Sequence, residues 1–429
     1  MACRFLFPVT LLVNKIVSMG NKIWDDKNGP DVETKEIFYD GHYYNVTEFI
    51  KRHPGAEDAT VPIQQFHSRS IAKVHGIMKS LPCRPQTDAD LLGISIYHVF
   101  MKRERNKALT EDFTKLFLEL QADGLFEPSY FHVAHRILEL FVLGAVGFYL
   151  TTQANSIIAN GIGCIFLFFA QLRALGVMHE GGHLSLTGNP KVDRLLQTFT
   201  LGPFVGISPT YWRRYHSFHH AQTARVKYDL DFETIPLLLL NMKVLDDPKK
   251  QQNFIMRNQI FFAPFTVIVF VVYLQTWEVA RSLIKCRLPS ELLAIGIYHI
   301  LAWHIGFWQM LVVIFLTGNW YAINVAINHT HLPVSTEPSH WVEQSLLHTV
   351  NIKHSPWIDW WMCLLDYQIE HHLFPTMPQF SNRLAVDRVK AFAKKHGLPY
   401  QVLSYKEAVM RVIANVYNVS NELKKIHNE

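Results

Sequence analysis

Polar and strongly apolar segments alternate along this chain, and the apolar ones are long. Val133–Thr151, Ile157–Leu172, Gln259–Thr276 and Leu292–Val313 are built mostly of apolar residues. A bilayer core asks for about 20 such residues in a helix, and each stretch approaches that length. A buried core helix accounts for any one of them alone. Two close pairs in one chain predict four membrane spans arranged as two hairpins. Each hairpin returns the chain to its starting side. The N-terminal region, the 173–257 segment and the tail beyond position 320 then share one face. That face carries most of the Lys and Arg outside the spans, which makes it cytosolic. The loop WEVARSLIKCRLPSE, with Arg281, Lys285 and Arg287, fits that rule poorly. A re-entrant or interfacial segment is a further reading for Asp193–Ile207.

The polar parts set the remaining organisation. Residues 1–20 form an apolar extension containing FLFPVTLLV. Lys15 follows closely and no small-x-small cleavage site is evident, so a dispensable extension, with Met19 as an alternative start, fits better than a secretory signal. Residues 21–80 hold two short β-like runs, EIFYD and HYYNVTEF, and then an HPG turn. Residues 81–130 read as a connector in which EDFTKLFLELQADGLF has helical spacing. Residues 131–400 contain the apolar stretches, and 401–429 form a C-terminal tail.

Composition narrows the class. Of 429 residues, 18% are charged, below the usual ~25%, and 49% are hydrophobic, which excludes disorder and a collagen repeat. The 5 cysteines are scattered and lack a CxxC, so neither a disulfide framework nor a thiolate zinc site is indicated. The net charge of +5 is dispersed, with no basic run that would mark nucleic-acid binding. The 23 histidines are the anomaly, because many are clustered.

HEGGH places His179 and His183 at i, i+4. HSFHH (His216, His219, His220) and QIEHH (Gln368, His371, His372) place theirs at i, i+3, i+4. On a helix these positions share one face, so imidazoles can converge on a metal. The hairpin topology puts all three clusters on the same side of the membrane. Eight ligand-type side chains exceed the needs of one ion, and two metals are implied. HEGGH also matches the H-E-x-x-H of zinc proteases, with Glu180 as the would-be base. That reading leaves the other clusters unexplained, and Gly181–Gly182 disfavours a rigid helix by about 1 kcal/mol per glycine. Imidazole suits Zn, Cu, Fe or Ni. Taking hydrogen from an unactivated methylene beside a membrane needs an oxidant that iron with dioxygen supplies and zinc does not.

The order HxxxH, HxxHH, QxxHH over roughly 110–400 resembles the membrane fatty-acid desaturases of the front-end type, which carry an N-terminal cytochrome b5-like domain. Gln368 marks that group. WRRYHSFHHAQT, DLD at Asp229–Asp231, NHTHLP at Asn328–Pro333 and QIEHHLFPTMP support the likeness. MCLLDY, ending at Asp366 and Tyr367, departs from the usual Gly-Gly-Leu-Asn run. The resemblance implies a mostly α fold: a four-span helical integral membrane desaturase with a cytosolic di-metal cap, plus a small, shortened α+β cytochrome b5-like domain. It implies two irons held by His179, His183, His216, His219, His220, His371 and His372, with Gln368 in or near the shell. A histidine just after the last span joins them, His329 first and His331 as its rival. His299 and His304, at a span, are expected to pack or to line a tunnel, and His75 is not expected to ligate.

IFYDGHYYNVTEFIKRHPG, then DAT and FHS, is similar to the cytochrome b5 pattern, with His53 and His67 at the positions of the two haem ligands. HPGG has become HPGA, and about nine residues of the family's pocket are missing after it. Two haem ligands approach opposite faces of a macrocycle between apolar walls. Haem b and no haem both stay open; without it, a separate cytochrome b5 brings the electrons. The likeness further implies an endoplasmic-reticulum enzyme with boxes and termini in the cytosol. It would use O2, electrons from NADH-cytochrome b5 reductase, and an acyl-CoA or acyl-lipid substrate, a polyunsaturated C18–C20 chain that gains a cis double bond (delta-5/delta-6 type). A sphingolipid long-chain-base desaturase, a hydroxylase and an inactive electron-transfer or regulatory relative are the competing readings.

Overall fold

The computed structural model describes residues 36–39, 42–47, 59–85, 96–232, 234–286, 288–337 and 339–429. The extension 1–20 and His53 lie outside them. EIFYD and HYYNVTEF supply strands β1 (Glu36–Tyr39) and β2 (His42–Asn45), paired antiparallel with Ile37 opposite Tyr44, and β3 (Cys83–Pro85) pairs with β2. Helices α1 (Thr60–His67) and α2 (Ile71–Met78) lie between β2 and β3.

The connector region forms α3 (Ile96–Ala122), whose Leu109, Phe113, Leu116 and Leu120 recur at helical spacing and are buried. Their partners are Trp341, Ile369, Leu373 and Phe374, so this segment is core to the cap that carries the third histidine cluster. Phe113 stacks on Phe374 with ring centroids 5.2 Å apart.

Among the described residues, four helices are long and apolar enough to cross a membrane: Tyr130–Thr152, Ile157–Gly182, Gln259–Lys285 and Phe307–His329. Call the first two α4 and α5. They expose Phe131, Leu138, Phe141, Tyr149, Ile157 and Ile158, large side chains that water would not tolerate in such a band. The third begins as α8 (Gln259–Tyr273), after α6 (Pro190–Val205) and α7 (Pro209–Ala221), and passes through a π-helical stretch, Leu274–Glu278, into α9 (Val279–Cys286).

The fourth apolar stretch is not one helix. Leu292–Val313 is divided at Gly306, whose φ of 102° lies where side chains with a Cβ are strained. α10 (Pro289–Ile305) ends before it, and the long helix α11 (Phe307–His329) begins after it. Hydropathy cannot register a break flanked by apolar residues on both sides. The consequence is chemical: His329 becomes the last residue of the fourth membrane-length helix.

The second correction concerns Gly181–Gly182. α5 runs helically to Gly182 because close packing outweighs glycine's propensity. A Cβ on Gly182 would stand 2.4 Å from the Trp212 ring, and one on Gly181 would stand 2.9 Å from the Asp193 carbonyl. α6 packs between α5 and α10, in the region read as re-entrant or interfacial. Gln171 Nε2 donates to the Phe204 carbonyl at 2.8 Å, and a Cβ on Gly202 would meet Ala294 Cβ at 2.5 Å.

Gly202→Val should therefore destabilise the protein by about 1–3 kcal/mol through overpacking, visible as a lower melting temperature in detergent. Gly161→Ala, inside α5 and with no atom within 4 Å of the added methyl, should leave that temperature unchanged or raise it slightly.

Candidate metal centre

Four helix ends deliver the histidines. His179 sits in the last turn of α5 and His183 just beyond it; α7 carries His216, His219 and His220; α11 ends at His329. His371 and His372 lie on a short buried helix, α12 (Gln368–Leu373). One nitrogen from each of His179, His183, His216, His220 and His371 lies within 4.8 Å of all the others, and His219, His329 and His372 form a second such group. Successive helix residues point about 100° apart. That is why adjacent His219 and His220 serve different groups, as do His371 and His372. The two groups touch: the His220 and His372 rings stack at 4.2 Å.

The internal distances are those of a ligand shell. His179 and His216 Nε2 are 3.0 Å apart, His216 and His220 Nε2 3.0 Å, and His220 and His371 Nε2 3.1 Å. Two nitrogens each about 2.1 Å from one cation and at a right angle lie about 3.0 Å apart. Burial and the neighbouring rings hold His216, His220, His371 and His372 well below the usual imidazole range, and burial takes His183 down to about 3. Neutral rings whose Nε2 atoms converge in this way can turn their lone pairs to one cation, which is what a metal requires.

The opposite ring nitrogens are held. Asp229 lies 3.1 Å and Asp231 3.2 Å from His219 Nδ1. Burial alone would lower His219, but the two carboxylates raise it to about 9, which favours the doubly protonated ring; a metal at Nε2 would have to displace that proton, while the carboxylates keep the Nδ1–H in place. His329 Nδ1 donates to the His348 carbonyl at 2.9 Å. Thr223 Oγ1 is 3.2 Å from His372 Nδ1, and the Gln379 amide is 2.8 Å from His179 Nδ1. Of these partners only the DLD pair had a visible motif; Thr223, His348 and Gln379 are brought in by folding, at no spacing a sequence pattern marks.

Gln368 is buried and lines a cavity with His179, His216, His219 and His329. Leu175, Met178, Trp320 and Tyr321 supply its apolar wall, and about 40 Å³ is open to the centre of a water-sized sphere. His331 joins neither group; burial lowers it to about 4. His299 and His304 are exposed on α10, outside the cavity, and His75 bonds Tyr39 at 2.7 Å. Glu180 is no free base: its Oε1 accepts from the Gln379 amide N–H at 2.9 Å and its Oε2 lies 3.2 Å from His132 Nε2. The zinc-protease reading lacks its catalytic group. His67 ends α1 and belongs to neither histidine group.

A helical membrane scaffold with these paired histidine groups defines a class, and comparison gives its family. Residues 156–404 match the family model for fatty acid desaturases. The chain belongs to that family, in its front-end group, and is an enzyme. It is 35% identical to an acyl-lipid (8-3)-desaturase of Rebecca salina, covering 92% of this chain and 93% of that one. It is 32% identical to an acyl-lipid (8-3)-desaturase of Thraustochytrium sp, over 91% and 93% of the two chains. With fatty acid desaturase 3 of Bos taurus it shares 26% identity, over 90% of each.

His329→Ala should lower the metal content of purified protein measured by mass spectrometry, whereas His331→Ala should not. Asp229→Asn, which leaves His219 with Asp231 as its one carboxylate partner, should weaken metal retention by roughly 10–100-fold in a chelator titration.

Proposed function

We propose that the two histidine groups hold a pair of irons and that the enzyme places a cis double bond in a polyunsaturated acyl chain, between an existing double bond and the carboxyl end. The observation that carries this reading is the pairing of two imidazole groups beside one narrow apolar cavity. His179, His183, His216, His220 and His371 would hold one ion, and His219, His329 and His372 the other, with Gln368 beside them. When bound, the irons would supply the oxidising power that, with dioxygen, two electrons and two protons, removes two hydrogens from neighbouring methylenes and releases two waters.

The chain's own residues position the substrate. Leu175, Met178, Trp320 and Tyr321 hold an extended hydrocarbon against the histidines and keep bulk water out. Because hydrocarbon offers no polar handle, regioselectivity reduces to how far the chain slides before the wall stops it. A second apolar cavity of about 270 Å³ lies between α4, α5, α6, α10 and α11, walled by Phe141, Phe148, Phe204 and Met310. The names of the first two relatives favour an acyl chain carried on a lipid. The enzyme works in the endoplasmic-reticulum membrane with its histidines on the cytosolic side, and cytochrome b5 and its NADH-dependent reductase provide electrons.

Yeast expressing the chain and fed polyunsaturated C18–C20 acids should form fatty acids with one more double bond on the carboxyl side, read as methyl esters. His216→Ala should abolish the product at equal protein level. A new double bond in the sphingoid base instead would establish the rival substrate, and product from the His216 variant would refute the metal assignment.

A further inference from the structure

The sequence pairs His53 with His67 as candidate haem ligands, and the surroundings of His67 test whether a haem fits. A haem held between two histidines needs apolar side chains against both of its faces. Two apolar side chains of α1, Val61 and Phe66, face the cap instead. Val61 is 1% exposed and packs in the cluster of Leu109, Phe113, Trp341 and Phe374. Phe66, next to His67, sets its ring edge-on to Trp341 at 5.8 Å and to the metal-site histidine His220 at 6.2 Å.

Polar contacts fasten the same segment. Thr376 Oγ1 donates to the carbonyl of fully buried Gln65 at 3.2 Å and lies 2.7 Å from Ser68 Oγ. Arg69 donates to the Phe126 carbonyl and faces the carboxylates of Glu127 and Asp193. The residues around His67 therefore touch all three histidine regions: His220 in HSFHH, Thr376 shortly after QIEHH, and Asp193 on the helix that follows HEGGH. A haem at His67 would have to displace this packing.

We propose that residues 59–78 are a brace that closes the metal-centre cap, that they do not form a haem pocket, and that the enzyme takes its electrons one at a time from a separate haem-carrying protein. The proposal rests on the iron reading of the histidine groups, and its test separates the two.

Full-length protein purified in detergent is assayed for haem by the pyridine haemochromogen spectrum, for non-haem iron by mass spectrometry, and for melting temperature. Wild type should hold far less than one haem per chain, and NADH with reductase alone should give no turnover until soluble cytochrome b5 is added. Phe66→Ala should lower both the melting temperature and the iron retained, Phe66→Leu should recover part of each, and His67→Ala should retain its iron. Stoichiometric haem that disappears in His67→Ala would overturn the proposal, as would a Phe66→Ala protein with unchanged melting temperature and iron. Wild type without non-haem iron would sink the metal reading, while the haem and melting results would still decide the brace.

Discussion

Buried imidazole nitrogens held about 3 Å from one another are the constraint the rest of this structure serves. Without a cation, nitrogens 3.0 Å apart with no proton between them repel, and burial denies them water as a substitute partner. The architecture nevertheless forces them together from four helices. Close approach at Gly181 and Gly182, the break at Gly306 that lets α11 end at His329, and the cap core around Phe113 all hold those helix ends at one depth.

A second electrostatic requirement follows. With two divalent ions bound as proposed, eight neutral imidazoles would leave the metal charge uncompensated in a poorly polarisable interior. The compensation would come from one layer out. Asp229 and Glu180 are almost fully buried, and Asp231 is nearly so. Each is restrained: Asp229 and Asp231 lie against His219 Nδ1, Asp229 also accepts from the Ala224 N–H at 2.6 Å, and Glu180 is held by His132 and the Gln379 backbone N–H. Keeping carboxylates out of the first layer and close behind it balances charge while leaving imidazole as the donor. It also gives Glu180 a role that its place in HEGGH disguises.

The histidines were legible because helical spacing is a local property: i, i+3 and i+4 share a face whatever the rest of the chain does. The division of His219 from His220 between two groups follows from the same geometry. The helix break at Gly306 was not legible, since apolar residues on both sides look alike to a hydropathy window. Gly181–Gly182 misled for the opposite reason. Propensity is a local weight, and the deciding contacts, Trp212 and Asp193, arrive from other helices. That His329 and not His331 joins a histidine group needed the fold as well, because α11 ends at His329 and the chain turns before it reaches His331.

The N-terminal segment shows how one sequence pattern can outlast the structure it usually signals. EIFYD and HYYNVTEF still pair as strands, and the helices that follow still form, because both depend on short-range preferences. What a haem pocket adds is a cavity, and a cavity depends on wall residues having nowhere better to go. Here Val61 and Phe66 have a better place, against Trp341 and the metal-site ring of His220. On the brace reading proposed above, those side chains stabilise the cap and not a macrocycle, and His67 keeps its position in the motif without the surroundings that give the motif its chemistry.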